Sequence, residues 1–321
     1  MRWLATRDGV VETPARDLLE ETVAAPRDDV YWVDLQDPDG DDLTILREVF
    51  GFPLHAVESI SRPLERPHIE EFDSLNLLTL FAADWDGAAS RLRLRKIEVF
   101  LSKHFIVTAH ATSEAGFGDV RRRVRENPKI AGEKPAYLQY LVLAQIVDPL
   151  SAVLDDVEAS ITGLERQIVV RPTRRGMGRV YDLKQVATDL GKYTGAQREV
   201  VEHLITHAID PAEQHMLMYY KDIHATLVRQ HETADELRDL CGGVMEVYMS
   251  GASNRLNEQM KQLTLLAALF LPITAITGFF GMNHAWLVDH INGLNPFLAT
   301  IVAMALVEFV LLMVFWRRGW L

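Results

Sequence analysis

Two long runs of apolar residues dominate the C-terminal part of the chain. The first, 263–282, contains no charged residue, and the second, 296–316, contains only Glu308. A helix needs about 20 apolar residues to cross a bilayer. Because a helix in a soluble core seldom stays apolar on every face over this length, the pattern favours two membrane spans over a buried hairpin.

Basic residues flank these runs on one side only. The connecting loop, 283–295, has no Lys or Arg, whereas Lys261 precedes the first run and the tail, 317–321, begins with two arginines. The positive-inside rule places such residues in the cytoplasm. We therefore expect a multi-pass protein of the cell (inner) membrane, with both termini cytoplasmic and the loop outside.

Helical periodicity fills the middle of the chain. Apolar residues three and four apart predict a helical hairpin over 133–210, whose first helix covers 135–170. An N-cap, a proline and a capping-box glutamate at 210–213 predict the start of a third helix. No proline follows before Pro272, so this stalk helix is expected to cover 211–262 and to continue into the membrane.

The first 132 residues mix strand and helix patterns. Alternating or continuous apolar runs predict five strands, at 30–35, 75–81, 91–95, 98–101 and 105–108. Apolar residues at helical spacing predict two short helices, at 41–50 and 53–60. We expect an α+β cytoplasmic domain over 1–132, with a mixed sheet and flanking helices.

Composition narrows the possible functions. The net charge of −12 repels nucleic-acid phosphate and attracts cations. The single cysteine, Cys241, excludes an internal disulfide. The sequence has no glycine-rich phosphate loop and no Cys/His cluster at metal-ligand spacing. We therefore expect neither an enzyme nor a resident cofactor.

A motif at the end of the first span resembles a known signature. Phe280-Gly281-Met282-Asn283 is similar to the Gly-Met-Asn motif of the CorA family of divalent metal-ion transporters, and the segments 66–71, 220–223 and 253–261 resemble the same family. The resemblance implies an α+β domain, a long stalk helix and two C-terminal transmembrane helices, assembled as a funnel-shaped homopentamer in the lipid bilayer. It also implies that the first span lines a pore for Mg²⁺ or Co²⁺.

Asn283 is the residue expected to select the ion. Mg²⁺ releases its water reluctantly and prefers oxygen ligands, so neutral oxygens can select the hydrated ion without trapping it. In a pentamer, five Asn283 carboxamides would ring the pore mouth. We predict a selectivity filter of Gly281, Met282 and Asn283, and the alternative is that these residues only cap the helix.

Six further residues recur at three- or four-residue spacing on one face of the pore helix. They are Asn257, Met260, Thr264, Leu271, Thr274 and Gly278. Asn257 and Thr274 would offer polar contacts to a hydrated ion, while Leu271 and Met260 would form apolar constrictions that gate by dewetting. Ordinary helix packing, with each threonine bonded to its own backbone, is the alternative.

The resemblance also implies that carboxylates between neighbouring cytoplasmic domains sense Mg²⁺. Glu58 and Asp222 occupy the matching positions, but Ser59 stands where a second carboxylate is expected. The missing charge should weaken binding of a regulatory ion. Solvated surface carboxylates are the alternative for Glu58 and Asp222.

Two features keep a second transporter type open. His284 and His290 lie in the outer loop, where Asp289 is the only acid, and imidazole suits Zn²⁺ or Co²⁺. Glu308 is a carboxylate in a membrane span, which is costly unless it has a role or a partner. It either forms a structural hydrogen bond or takes part in proton coupling, so a proton-coupled Zn²⁺ transporter of the ZntB type is the alternative function.

Overall fold

The computed structural model describes residues 2–25, 30–63, 66–73, 75–88, 90–111, 117–133, 135–170, 172–207, 214–282 and 293–319. The chain divides into two compact units, Met1–Met245 and Glu246–Leu321. The boundary between them falls within one long helix.

A seven-stranded mixed sheet is the centre of the first unit. Its strands are β1 Arg2–Thr6, β2 Gly9–Glu12, β3 Tyr31–Gln36, β4 His68–Glu71, β5 Asn76–Asp86, β6 Arg91–Leu101 and β7 Phe105–His110. The strand order is β2-β1-β3-β7-β6-β5-β4, with β3 and β7 parallel and the other neighbours antiparallel. The strands predicted at 91–95 and 98–101 are one strand, and β1, β2 and β4 were not predicted.

Ten helices accompany the sheet in the described part of the chain. They are α1 Arg16–Ala24, α2 Gly40–Glu48, α3 Leu54–Ser59, α4 Gly118–Glu126, α5 Lys129–Glu133, α6 Pro135–Val147, α7 Pro149–Val170, α8 Arg174–His207, α9 Gln214–Phe280 and α10 Leu294–Arg317. The arrangement confirms the predicted fold class, an α+β domain followed by a long helix and C-terminal apolar helices.

The two faces of the sheet bury separate apolar cores. One core contains Leu46 of α2 and Val57 of α3, packed with strand residues such as Phe100. The other contains Val124 of α4 together with residues of α6, α8 and α9, such as Leu227. The helices that follow β3 and β7 therefore cover opposite faces, and α3, which carries Glu58, lies over the first core.

The helix predicted over 135–170 is interrupted at Asp148. Pro149 has no N–H group and cannot continue the hydrogen-bond ladder of α6. At this break the Ser151 N–H donates to the carbonyl oxygen of Asp148 at 3.1 Å rather than to that of Val147. The Val147 oxygen accepts from Gln230 Nε2 at 2.9 Å, and the same amide nitrogen donates to Ser151 Oγ at 2.9 Å. A side chain of α9 thus stabilises the end of α6.

The helix α9 extends without interruption over 67 residues, which is about 100 Å at 1.5 Å per residue. It passes through Gly242, Gly243 and Gly251, and Pro272 lies inside it. The helix-start signal at 210–213 lies outside the described residues. The continuous helix agrees with the predicted stalk that runs into the first apolar segment.

A buried ionic cluster joins β3, β7 and α4. Asp34 is fully buried and accepts hydrogen bonds from Thr108 Oγ1, His110 Nε2 and Arg121. Burial favours the neutral carboxyl, but the hydrogen bond and charge of His110 and the charge of Arg121 hold the pKa of Asp34 below its ordinary value. The other ring nitrogen of His110, Nδ1, lies 2.8 Å from the carbonyl oxygen of Ala111, so both nitrogens face acceptors, an arrangement that favours the doubly protonated ring.

The charge of His110 makes a testable contribution to stability. Burial lowers the pKa of His110, but the hydrogen bond to Asp34 and its negative charge raise it above the ordinary value. The stabilisation is therefore complete below the unfolded-state pKa of about 6.5 and is lost as the pH rises through the folded-state pKa. We expect the melting temperature to fall over this range, and His110→Gln to show a smaller dependence on pH.

The exposed His104 supplies the control, since His104→Gln should keep the wild-type pH dependence. Thermal unfolding followed by circular dichroism at a series of pH values measures both slopes. Equal slopes for wild type and His110→Gln would contradict the assignment.

Candidate cation pathway and regulatory residues

Two helices are long and apolar enough to cross a membrane, and the most apolar part of each is fully uncovered by the rest of the chain. They are Leu217–Phe280 within α9 and Leu294–Arg317, which is α10. A third stretch, Tyr137–Val170, also meets the length and composition criteria, but 61% of its window is buried inside the fold. The third stretch is therefore mostly covered by the rest of the first unit, and the first two contain the predicted spans.

The predicted pore face of α9 is exposed. The exposed residues on this face are Asn257, Met260, Thr264, Leu271, Thr274 and Gly278. Leu271 retains 69% of its accessible surface. The half-buried positions, which include Leu265, Leu269, Pro272 and Ile276, recur at the same spacing on the roughly opposite side of the helix. The predicted pore residues therefore share one face that is left for contact with other molecules.

The threonine side chains on this face bond to their own helix. Thr264 Oγ1 donates to the carbonyl oxygen of Met260 at 2.7 Å, and Thr274 Oγ1 donates to that of Phe270 at 2.8 Å. This is the backbone bonding expected for ordinary packing. It leaves the two lone pairs of each hydroxyl oxygen available as acceptors on the exposed face, so the bond does not exclude contact with a hydrated cation.

The C-terminal end of α9 leaves little room for a side chain at Gly281. The Gly281 N–H donates to the carbonyl oxygen of Thr277 at 2.9 Å, and a Cβ atom at Gly281 would lie 3.0 Å from that same oxygen. A larger residue would therefore crowd the last turn. Met282 follows, with its N–H 3.3 Å from the carbonyl oxygen of Phe279. The remaining predicted outer residues, Asn283, His284, Asp289 and His290, lie outside the described residues.

Glu308 lies on the less exposed face of α10. The half-buried positions of this helix are Pro296, Thr300, Met304, Glu308, Leu311 and Phe315. Its Oε1 atom is shielded from solvent and has no hydrogen-bond partner among the described residues. The structural hydrogen bond expected for Glu308 is thus not formed by this atom in the described part of the chain.

The structure separates Glu58 from the neighbouring Ser59. Glu58 is exposed on α3, with Oε2 3.9 Å from Arg62 Nη2. Ser59 is buried, and its Oγ donates to the carbonyl oxygen of Ala56 at 2.8 Å. Lys96 Nζ donates to the carbonyl oxygens of Ser59 and Arg62. The Ser59 hydroxyl is therefore committed to the backbone, while Glu58 faces outward from a segment fixed to the sheet.

Asp222 has neighbours that sequence reasoning missed. Its Oδ2 accepts from the Tyr140 hydroxyl at 2.9 Å, and burial together with this hydrogen bond raises the pKa of Tyr140 to about 12. Burial and the negative charge of Asp222 raise the pKa of Asp148. A second acid therefore lies near Asp222, at the break between α6 and α7.

Glu58 and Asp222 do not meet within one chain. Val57, next to Glu58, lies in the core on one face of the sheet, whereas Ile223, next to Asp222, lies in the core on the other face. The described residues contain no cluster of three or more His, Cys, Asp or Glu side chains arranged to hold a metal. A regulatory ion shared by these two acids would need a second copy of the chain, as the resemblance implies.

Comparisons with known proteins agree with this architecture. The chain is 27% identical over 275 residues to the cobalt/magnesium transport protein CorA of Thermotoga maritima, which covers 85% of this chain and 78% of that protein. It is 23% identical over 260 residues to the zinc transport protein ZntB of Yersinia pseudotuberculosis, covering 80% of this chain and 77% of that protein. The complete structure of the CorA magnesium transporter from Methanocaldococcus jannaschii superposes with a TM-score of 0.81 and 18% identity, covering 100% of this chain and 99% of that one.

The comparison with protein families covers nearly the whole chain. The model of the family described as CorA-like Mg²⁺ transporter protein matches residues 27–318. The match includes the mixed sheet from β3 onward, the long helix α9 and both apolar segments. The chain belongs to the CorA-like Mg²⁺ transporter family.

Proposed function

We propose that the chain is one subunit of a homopentameric channel that conducts divalent cations, Mg²⁺ and also Co²⁺, into the cell across the inner membrane. As a member of a transporter family, it is not an enzyme. The observation that carries the proposal is the exposed face of α9, where polar and apolar positions alternate from Asn257 to Gly278. Five copies of such a face, placed around an axis, would form a continuous ion pathway.

We propose the following division of the chain. Residues 1–132 form the cytoplasmic α/β domain, 133–210 the helical hairpin and 211–262 the stalk. The spans are 263–282 and 296–316, joined by the outer loop 283–295 and followed by the basic tail 317–321, with both termini cytoplasmic. The lack of Lys and Arg in the loop supports this orientation.

The ion enters this pathway at the Gly281-Met282-Asn283 filter. A ring of carboxamide oxygens binds the hydration shell of a hard cation more favourably than it binds the bare ion, because Mg²⁺ keeps its water. Further along the pore, the side chains of Thr274 and Asn257 form hydrogen bonds to the hydrated ion in place of bulk water. Between them, Leu271 and Met260 narrow the path, and dewetting of such apolar rings closes a pore without a moving gate.

A proton-coupled Zn²⁺ transporter is the second candidate. The identity to ZntB and the shielded Oε1 atom of Glu308 favour it, and His284 and His290 would provide imidazole ligands at the outer mouth. In this case Glu308 would gain and lose a proton during each transport cycle.

Uptake into proteoliposomes distinguishes the two candidates. The purified chain is reconstituted, and uptake of Mg²⁺, Co²⁺ and Zn²⁺ is measured with and without an imposed pH gradient. The channel proposal expects Mg²⁺ and Co²⁺ uptake that follows the membrane potential and ignores the pH gradient. Uptake of Zn²⁺ that follows the pH gradient would overturn it in favour of the second candidate.

We further propose that Asp222 and Glu58 of neighbouring subunits hold a regulatory Mg²⁺, and that Asp148 contributes to this site. The carboxylates and the Tyr140 hydroxyl are oxygen donors of the kind that a hard cation prefers. Because the charge of Asp222 helps to raise the pKa of Asp148, a bound cation would relieve repulsion between the two acids. The buried Ser59 hydroxyl adds no ligand.

Replacement of Asp148 tests this site. A carboxyl whose folded-state pKa is raised destabilises the fold once the pH exceeds that pKa. Asp148→Asn should therefore stabilise the ion-free protein at neutral pH, by less than about 1 kcal/mol for an exposed group, and should reduce the increase in melting temperature caused by Mg²⁺. The exposed Asp155 on α7 provides the control, Asp155→Asn. An undiminished Mg²⁺ effect in Asp148→Asn would contradict its role.

A further inference from the structure

The tip of the hairpin formed by α7 and α8, residues 166–179, has an unusual charge. It contains five arginines and no acidic residue, although the chain as a whole carries a net charge of −12. Arg166, Arg174, Arg175 and Arg179 are all exposed, and none of the four forms an ion pair with any residue that the structure describes. We call residues 166–179 the arginine tip.

Apolar side chains accompany these charges. Val169 and Val170, at the end of α7, retain 63% and 77% of their accessible surface. Beside them is a cavity of about 500 Å³ lined by Arg166, Gln167, Ile168, Val170, Thr173 and Gly176. A surface with exposed valines, unpaired arginines and a cavity between them suits a ligand that has both an acyl and a phosphate part.

The first turn of α8 adds to the positive potential at this cavity. Thr173 Oγ1 accepts from the Gly176 N–H at 3.1 Å and so caps the helix. The other free N–H groups of the first turn and the dipole of this 34-residue helix favour an anion at its N-terminus. Arg166 lies on α7 and Arg174 on α8, and these helices meet at the tip. A guanidinium group can bind two oxygens of one phosphate in a bidentate contact.

The direction of α8 determines which end of the first unit carries the arginine tip. His231 Nδ1 of α9 lies 3.0 Å from the carbonyl oxygen of Gly191, and the same ring would lie 3.2 Å from a Cβ atom at Gly195. Asp235, four residues after His231, lies next to Gly191, which is four residues before Gly195. Residue numbers thus fall along α8 as they rise along α9, so the two helices are antiparallel. The arginine tip is therefore at the same end of the first unit as Met245, the last residue of α9 in that unit.

We propose that the arginine tip binds the phosphate headgroups of anionic phospholipids on the cytoplasmic face of the membrane. The proposal rests on the proposed insertion of α9 and α10. A basic side chain near an anionic leaflet gains about fivefold in local partitioning, so four unpaired arginines together bind strongly at physiological salt. Contact with lipid would hold the α7–α8 hairpin against the membrane from which the pore helix emerges.

A fluorescent probe at the arginine tip tests the proposal in the full-length protein. Val169→Cys is made in a Cys241→Ala background, labelled with an environment-sensitive dye, and reconstituted into vesicles of phosphatidylcholine alone or mixed with phosphatidylglycerol. Headgroup spin-labelled lipid serves as the quencher. We expect quenching in the mixed vesicles that falls with added salt. It should drop to the level seen in phosphatidylcholine when Arg166, Arg174, Arg175 and Arg179 are changed to Gln.

A second quadruple variant gives the control for net charge. Gln at Arg91, Arg93, Arg122 and Arg123, which are exposed elsewhere on the same unit, removes the same charge and should leave the quenching unchanged. Thermal unfolding of both variants establishes that each is folded.

Several results would overturn the proposal. Equal quenching in the two kinds of vesicle would show apolar contact only, and persistent quenching in the arginine-tip variant would exclude the arginines. If quenching did not depend on phosphatidylglycerol and were abolished by added inorganic phosphate, the arginine tip would be a site for free phosphate. Failure of the protein to float with the vesicles would overturn the insertion of α9 and α10 itself, whereas flotation without quenching would overturn the arginine tip alone.

Discussion

Asn283→Ala is expected to reduce Mg²⁺ uptake into proteoliposomes by more than tenfold. In a pentamer the substitution removes five carboxamide oxygens from the pore mouth at once. Each hydrogen bond to the hydration shell contributes about 0.5–1.5 kcal/mol, and 1.4 kcal/mol already corresponds to a factor of ten. The loss should affect both the entry of Mg²⁺ and its selection over monovalent ions, which parallel flux measurements with Mg²⁺ and Na⁺ would record.

Asn295, in the first turn of α10, provides a matched control. Asn295→Ala removes the same chemical group from the last position of the proposed outer loop, 283–295, and should leave uptake unchanged. If Asn283→Ala conducts Mg²⁺ as well as this control does, the Gly-Met-Asn residues only cap the helix, and ion selection must occur elsewhere on α9.

Asp34→Asn is expected to cause a large loss of stability in the first unit, Met1–Met245. Asp34 is fully buried and receives hydrogen bonds from His110, Thr108 and Arg121. Removing its charge leaves the two cations without compensation, and breaking a buried ion pair in this way costs about 3–5 kcal/mol. The melting temperature of the unit should fall by about 10 °C, measured by circular dichroism in detergent.

The pair of Asp119 and Arg122 on α4 is the control for this substitution. Asp119 Oδ1 lies 2.8 Å from Arg122 Nη2, and both side chains are exposed. Asp119→Asn should change the free energy of unfolding by less than about 1 kcal/mol. A similar small effect for Asp34→Asn would mean that the buried cluster is not a determinant of the fold.

The helical half of the fold could be predicted from sequence because its signals are local and long. The apolar segments and the periodicity leading into them predict α9 and α10, and the structure contains both. The break at Asp148 was missed because the pattern of apolar residues continues through Pro149. The amide of Gln230, which bonds to the carbonyl freed there, comes from a helix about 80 residues later.

The sheet was only partly predictable. The strands β5 and β7 have strong apolar runs, whereas β2 is a four-residue strand at the edge of the sheet with little apolar patterning. The ionic cluster around Asp34 depends on residues of β7 and α4 that are distant in sequence. No local pattern signals that a charged residue inside a strand has such partners.

In the candidate site, too, local spacing predicted some features, whereas contacts between distant residues could not be predicted. Spacing placed Asn257, Thr264, Leu271 and Gly278 on one face of α9, and all four are exposed in the structure. Their role as pore residues stays a prediction. The partners of Asp222 could not be predicted, because Tyr140 and Asp148 reach it only through the packing of α6 against α9. Membership of a transporter family confirms the prediction that the chain is not an enzyme.

The exposed face of α9 can be tested directly by the accessibility of cysteines to water. Thr274→Cys on the predicted pore face and Ile276→Cys on the half-buried face are made in a background lacking the buried Cys241. Each variant is reconstituted and treated with a membrane-impermeant, positively charged thiol reagent before Mg²⁺ uptake is measured. We predict that the reagent blocks uptake through Thr274→Cys and leaves Ile276→Cys unaffected. Block of Ile276→Cys with Thr274→Cys spared would contradict a pore lined by this face.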